Sequence, residues 1–433
     1  MNLNSTTSRI FAIISLILIS TNFSLSQTKE WIVYNTYNSG LPSNRVYAIA
    51  IDKYGNKWIG TDGGGIAKFD GVNWIVYNTS TSGLPYNYVY AIAIDVQGNK
   101  WIGTYGRGLA KFDGVNWTVY NTSNSGLPDN YVMAIAIDEQ GNKWIGTDGG
   151  GLAKFDGARW IVYNTSNSGL PFNWVNAIAV DAQGNKWIGT GWGLAKFDGV
   201  NWTVYRTSNS GLPDDDVRGI AIDGQGNKWI GTYSGGLAKF DGVNWTVYNS
   251  SNSGLPYNRV LAIAIDGQGN KWIGTDGLGL AKFDGVNWTV YNTSNSGLPY
   301  DFVRAIAIDG WENKWIGTSG RGLAVYREGG VIILPVEVKE KSNEIPIKFA
   351  LYQNYPNPFN PSTTIEFDIP ERTNVKLVIY DILGREVVTL IDKELEPGKY
   401  KLNFTATNLP SGVYFYTLKT PKFTKTNKML LIK

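Results

Sequence analysis

Between Trp31 and Tyr326 the apolar residues fall into short runs, each bounded by Gly, Asn, Asp or Pro. One stretch reads Val260 to Ile265, Lys271 to Thr275, Leu280 to Phe283 and Trp288 to Tyr291, rich in Val, Ile, Trp and Tyr. None of these runs is long enough for a packed helix, and a turn signal closes each, so the pattern predicts four β-strands. The steps Asp266-Gly267-Gln268-Gly269-Asn270 and Asp284-Gly285-Val286-Asn287 suit tight hairpins, because Gly and Asn accept positive φ at low cost.

The four-run stretch recurs with a period of 43 residues. One Trp of the unit stands at Trp31, Trp74, Trp117, Trp160, Trp202, Trp245 and Trp288, the other at Trp58, Trp101, Trp144, Trp187, Trp229, Trp272 and Trp315. Helical repeats share such a period, but four strands per unit make a propeller blade. Both Trp series are expected to fill the space between blades. The ends of the array are out of phase: Trp31-Ile32-Val33-Tyr34 matches a fourth strand, whereas the last repeat stops at a third strand, Leu323-Ala324-Val325-Tyr326. Pairing these two segments closes a ring of seven complete blades. The fold class expected is all-β, a seven-bladed β-propeller followed by a small Ig-like β-sandwich.

The repeated D-x-x-G-N-K-W-I-G-T followed by G-L-A-K-F-D-G resembles the two-component regulator propeller repeat. In that family the propeller is often the periplasmic sensor of a hybrid histidine kinase. No kinase pattern follows here, so the resemblance implies fold rather than signalling.

After Tyr326 the pattern changes. Residues 328–348 are charged and contain Pro and Gly, which reads as a linker. Tyr355-Pro356-Asn357-Pro358-Phe359-Asn360-Pro361 then leads into alternating runs such as Thr364 to Ile369 and Val375 to Tyr380, about seven short strands in all. With the closing Gly412-Val413-Tyr414-Phe415-Tyr416 and Lys428-Met429-Leu430-Leu431-Ile432-Lys433, residues 349–433 resemble the type A C-terminal sorting domain of the type IX secretion system. That resemblance implies export across the outer membrane of a Gram-negative cell, with the secretion machinery as partner and a secreted or surface-attached product.

At the other end, Arg9, the apolar run Ile10 to Ile19 and Ser24-Leu25-Ser26 read as a secretory signal over 1–26, cleaved before Gln27. The run is about half of the roughly 20 residues a spanning helix needs, so no transmembrane anchor is expected in the mature chain. The propeller is then expected over 27–327.

Composition narrows the chemistry. The chain has 433 residues with no Cys and no His, which removes disulfides, thiolate and imidazole nucleophiles and their metal sites. The net charge of +3 resides in 349–433, where 11 Lys and Arg face 8 Asp and Glu. The neutral remainder lacks the basic face that nucleic acid requires. No cofactor is implied.

A blade is an up-down meander, so the fourth-to-first and second-to-third strand loops share one face of the disc. That face varies between repeats. After Gly-Leu-Pro come Ser43-Asn44-Arg45, Tyr86-Asn87-Tyr88, Asp129-Asn130-Tyr131, Phe172-Asn173-Trp174, Asp214-Asp215-Asp216, Tyr257-Asn258-Arg259 and Tyr300-Asp301-Phe302. The second loop class carries Tyr105 and Arg107, Trp192, Tyr233, Leu278 and Arg321. On the opposite face the Gln-Gly-Asn turn is nearly constant, apart from Lys53-Tyr54 in the first repeat and Trp311-Glu312 in the last. Divergence confined to one face of a uniform frame points to a ligand there.

Trp174 and Trp192 share one blade on that face, and Asp214, Asp215, Asp216 and Tyr233 lie one blade on. Flat rings beside carboxylates suit a sugar. The ligand-binding candidates are therefore Trp174, Trp192, Asp214, Asp215, Asp216, Tyr233, Arg218, Arg304, Tyr105 and Arg107. Three consecutive Asp on an extended segment point in alternating directions, so a solvated loop is expected there rather than a metal site. The Asp repeated at Asp52, Asp95, Asp138, Asp181, Asp223, Asp266 and Asp309 is expected to bond its own turn.

The functional expectation is a binding module for an extracellular glycan or protein. One alternative is a polysaccharide-active glycosidase or lyase, with acid-base groups drawn from Asp214 to Asp216, Tyr233 and Arg218 or Arg304. Another is a structural adhesion protein whose loops form no pocket.

Overall fold

The computed structural model describes residues 30–331, 339–340, 346–406 and 409–432. The signal segment expected over 1–26 lies outside the described residues, as do parts of the stretch read as a linker. The described chain is all β. Its first 28 strands form seven four-stranded antiparallel sheets. In the first, the strands Val46–Ile51, Lys57–Thr61, Gly65–Phe69 and Trp74–Tyr77 pair in sequence order. The first strand of that blade neighbours the first strands of the second and the seventh blades alike, so these seven strands form a closed inner ring.

Closure runs through the out-of-phase ends. Trp31–Tyr34 completes the seventh blade by pairing with Leu323–Tyr326, in the register Trp31 to Tyr326, Ile32 to Val325, Val33 to Ala324 and Tyr34 to Leu323. The Trp31 ring lies 4.5 Å from that of Tyr326, where other blades stack Trp on Phe at 4.5–4.6 Å.

Each first hairpin is organised by its Asp. In the first blade Asp52 Oδ1 accepts the backbone N–H groups of Tyr54 and Asn56, while Oδ2 accepts the Asn56 amide at 2.8 Å and the Trp58 indole N–H at 3.1 Å. All seven inner Trp donate to their own blade's Asp, at 2.8 to 3.1 Å. The turn role read from sequence is therefore half of what this Asp does. It also satisfies the polar end of a buried Trp, which would otherwise lose a hydrogen bond on burial.

The contacts between blades are equally regular. The Lys that opens each second strand lies over the inner Trp of the preceding blade, Nζ to ring centroid 4.6–5.1 Å, seven times around the ring. Apolar clusters join blade to blade, for example Trp58, Ile66, Leu84, Val89, Ile102 and Phe112. The two Trp series are not equivalent. The inner series is fully buried, whereas the outer series is half-buried, stacked on Phe or Tyr and crossed by the loop entering its blade. That crossing requires Gly: a Cβ at Gly40 would meet Trp74 Cβ at 2.3 Å.

The C-terminal strands form two four-stranded sheets around one core. One holds Lys339–Glu340, Gly398–Thr405, Ser362–Ile369 and Ala350–Leu351 in spatial order. The other holds Glu386–Leu395, Thr373–Tyr380, Gly412–Lys419 and Thr424–Leu431. Lys339–Glu340, from the stretch read as a linker, is thus an edge strand. The buried Tyr416 hydroxyl accepts the Asn354 N–H at 2.7 Å and donates to the Tyr352 carbonyl at 2.8 Å, fixing the segment before the Pro-rich run.

Candidate functional site

One irregularity recurs in every blade. The register between first and second strands slips after the opening Val, leaving one extra residue: Tyr47, Tyr90, Met133, Asn176, Arg218, Leu261 and Arg304. A β-bulge re-aims the side chain it inserts. Here it releases seven partly exposed side chains from the strand alternation, beside the variable loops, and no two neighbours around the ring match except Tyr47 and Tyr90.

Two arcs of stacked groups grow from this ring. In the first, the Arg304 guanidinium lies 5.4 Å from the Tyr47 ring, Tyr47 stacks on Tyr90 at 4.7 Å, and Tyr90 on Tyr105 at 4.8 Å. Tyr131 then meets Tyr105 edge-on at 4.7 Å. Arg304 Nε donates to Ser319 Oγ at 3.0 Å. Burial, together with the neighbouring Tyr47, raises the Tyr90 hydroxyl above the ordinary phenol range.

In the second arc the Arg218 guanidinium lies 5.0 Å from the Trp174 ring and 5.0 Å from the Tyr233 ring, and the Arg259 guanidinium lies 4.0 Å from the Tyr233 ring. Arg218 pairs with Asp216 at 2.6 Å, and Arg259 with Asp276 at 2.9 Å. The hydrogen bond from Arg259 to Asp276 strengthens its hold on the proton. Asn176 reaches across from the next bulge to the Val217 carbonyl at 3.1 Å. Among the described residues, the buried side-chain polar atoms without a hydrogen-bond partner are Trp174 Nε1, Arg218 Nε, Arg259 Nε and Asp276 Oδ1. All four belong to this arc. Unpaired buried polar groups cost about 1–3 kcal/mol each, so this arc is where the described residues leave hydrogen-bonding capacity unused.

The structure sorts the sequence-derived candidates. Trp174, Arg218, Tyr233 and Asp216 come together in the second arc, and Arg304 and Tyr105 in the first. Trp192 is 61 % exposed and stacks on Phe172 at 5.6 Å, beside the second arc's blade. Arg107 is exposed at a loop tip. The three Asp do not act as one group. Asp214 Oδ2 accepts the N–H and hydroxyl of Ser234, Asp215 Oδ1 accepts the Thr207 N–H, and only Asp216 faces an Arg of the ring. Sequence reasoning missed Tyr47, Tyr90, Asn176, Arg259 and Asp276 as site residues. The signal was available: in V-x-A-I-A-I only the second position changes freely.

The opposite face has a different character. A cleft of about 590 Å³ between the fifth and sixth blades is lined by Asp223, Trp229, Asp266 and Lys271, which are the repeated packing groups. A second, of about 490 Å³, lies between Lys53, Tyr54 and Trp311 of the propeller and Lys376, Glu386 and Thr389 of the C-terminal domain.

Comparison with known proteins agrees with this architecture. Residues 40–63, 83–106 and 126–149 match the two component regulator propeller model, and residues 353–433 match the secretion system C-terminal sorting domain. No curated protein sequence matches the chain. Among solved structures, the extracellular domain assigned to a hybrid two component system of B. thetaiotaomicron is 21% identical, with TM-score 0.62 over 93% of this chain and 57% of its own. PorZ, a surface component of the type-IX secretion system of Porphyromonas gingivalis, is 18% identical, with TM-score 0.56 over 93% of this chain and 61% of its own. The chain thus spans about three fifths of the length of these two proteins. Virginiamycin B lyase from Staphylococcus aureus is 15% identical, with TM-score 0.55 over 68% of this chain and 98% of its own. At these identities the likeness shows the fold alone. The described chain is a seven-bladed propeller, three stretches of which match two component regulator propeller repeats, followed by a secretion system C-terminal sorting domain that makes the protein secreted or held at the outer-membrane surface.

Proposed function

We propose that the protein is a binding module that recognises an extracellular acidic glycan through its ring of bulge residues. The observation that carries this reading is the Trp174–Arg218–Tyr233–Arg259 stack with Asp276 beside it, where the unpaired buried polar atoms of the described residues gather. Three of those atoms are donors, and the guanidinium beside them presents further N–H groups in a planar fork that matches a carboxylate. The exposed parts of Tyr105 and Trp192 supply flat surfaces for the C–H side of a sugar ring.

The catalytic alternative has less to support it. Asp214 and Asp215 are engaged in holding loops, and Asp216 is paired with Arg218, so none of these three is free to serve as one of a catalytic carboxylate pair. In virginiamycin B lyase, replacement of a histidine by alanine gives a catalytically inactive enzyme, and this chain contains no His. A protein ligand remains an outcome of the test.

The test is retention of the purified chain on immobilised polysaccharides, acidic and neutral, with release of reducing ends measured in parallel. Retention on acidic polymers, weakened about tenfold or more by Arg218→Ala, is expected. Retention by none of them, or steady release of reducing ends, would overturn the reading.

A further inference from the structure

The turns on the lower face, opposite the bulge ring, are almost uniform. Five of the seven read Gln-Gly-Asn, with the Gly at positive φ, as at Gly98 with φ 86°. The two exceptions are Lys53-Tyr54 in the first blade and Trp311-Glu312 in the seventh. They are neighbours across the seam where the ring closes. Glu312 keeps the left-handed turn at φ 63° without the freedom of Gly, its carboxylate bonding the Gly267 N–H at 3.2 Å and Lys314 at 3.4 Å. The departure is thus retained at a conformational cost that no other blade bears.

These exceptions stand together where the C-terminal domain lies. Trp311 packs against the apolar core of that domain. Lys53, Tyr54 and Trp311 line one wall of the 490 Å³ cleft, and Lys376, Glu386, Thr389, Leu390 and Ile391 line the other. The chain leaves the seventh blade on this same face and is pinned there: Arg327 Nε donates to the Trp311 carbonyl at 2.9 Å, and Val331 is buried in the core shared by the first and seventh blades.

We infer that Tyr54 and Trp311 form a seat that holds the sorting domain against the closing seam of the propeller, on the face opposite the bulge ring. The seat explains why the repeat is broken at these two turns and kept at the five others. It also gives the molecule a polarity: while the sorting domain is present, the variable ring faces away from it. The inference stands independently of what the ring binds.

The test uses the chain with its sorting domain in place. Lys53 and Lys376 both line the cleft, so a short amine-reactive crosslinker followed by peptide mass spectrometry should join them. Tyr54→Gln with Trp311→Gln restores the residue that five blades already carry there, and should leave the propeller folded. The Lys53–Lys376 crosslink is expected to fall at least fivefold in that variant, with the urea midpoint of the propeller unchanged. Should the double variant unfold, Thr389→Arg on the other wall gives the same readout by placing a cation beside Lys53. Absence of the crosslink in the unaltered chain, or an undiminished yield in a folded variant, would overturn the seat.

Discussion

Lys57 of the first blade lies over the ring of Trp315 in the seventh, Nζ 4.6 Å from the centroid and 3.5 Å from Asp309 Oδ2. The contact is the seam's version of one made at every other blade junction, and both charges are buried. Burial lowers the Lys57 pKa, with Asp309 opposing that shift, so the pair is held in the ring only while both partners are present. Lys57→Ala removes the cation while Asp309 keeps its hydrogen bonds from Asn313 and Trp315, and a loss of about 1–3 kcal/mol is expected by urea denaturation. A loss below about 1 kcal/mol would show that the seam does not depend on it.

The spare N-terminal strand makes a separate contribution. A chain beginning at Asn35 leaves Leu323–Tyr326 as an uncovered edge in a three-stranded seventh blade. Such a chain is expected to unfold at lower urea and to self-associate in sedimentation. A monomer with an unchanged transition would contradict closure by this strand.

Acid should loosen the second to sixth blades through the Asp-Trp hairpin. Burial by itself raises the Asp95 carboxyl, but the Trp101 indole, the Asn99 amide and backbone N–H outweigh it and hold the group below its ordinary 3.8. The same balance lowers Asp138, Asp181, Asp223 and Asp266. A carboxylate with a depressed folded pKa stabilises fully above its unfolded value, and the gain is lost as pH falls through the folded one. The urea midpoint should therefore fall steeply below about pH 4. Trp144→Phe removes the indole donor to Asp138, so that variant should be less stable at pH 7 and lose less between pH 7 and pH 3. An equal acid loss in both proteins would exclude the hairpin as the cause.

The fold was legible because packing repeats itself: seven copies of two Trp and four apolar runs leave few arrangements, and the displaced ends at Trp31 and Tyr326 reveal the closure. The half-buried state of the outer Trp was not legible, since a periodic apolar position does not say how much water reaches it. The site was legible only as a face. Trp174, Arg218 and Tyr233 do meet, but the bulge that brings them together adds one residue to a strand whose pattern looks continuous. Asp215 illustrates a legible point that was passed over. Its position is Asn in five other repeats and Asp301 in the remaining one, and in each the side chain accepts the N–H eight residues upstream. Comparing repeats column by column separates that loop acceptor from the Asp216 beside it.

The two arcs of the ring should contribute separately, because Arg304 and Arg218 share no contact. Arg304→Ala and Arg218→Ala are expected to weaken binding by additive amounts, each about tenfold or more, if the ligand spans both arcs. A double variant no weaker than either single one would confine the ligand to one arc.

The most direct measurement is calorimetric titration of the purified propeller with an acidic polysaccharide, repeated for Arg218→Ala and for Gln225→Ala on the opposite face. The account predicts that affinity falls about tenfold or more in the first variant and is unchanged in the second. Equal affinity in all three proteins, or a loss confined to Gln225→Ala, would contradict it.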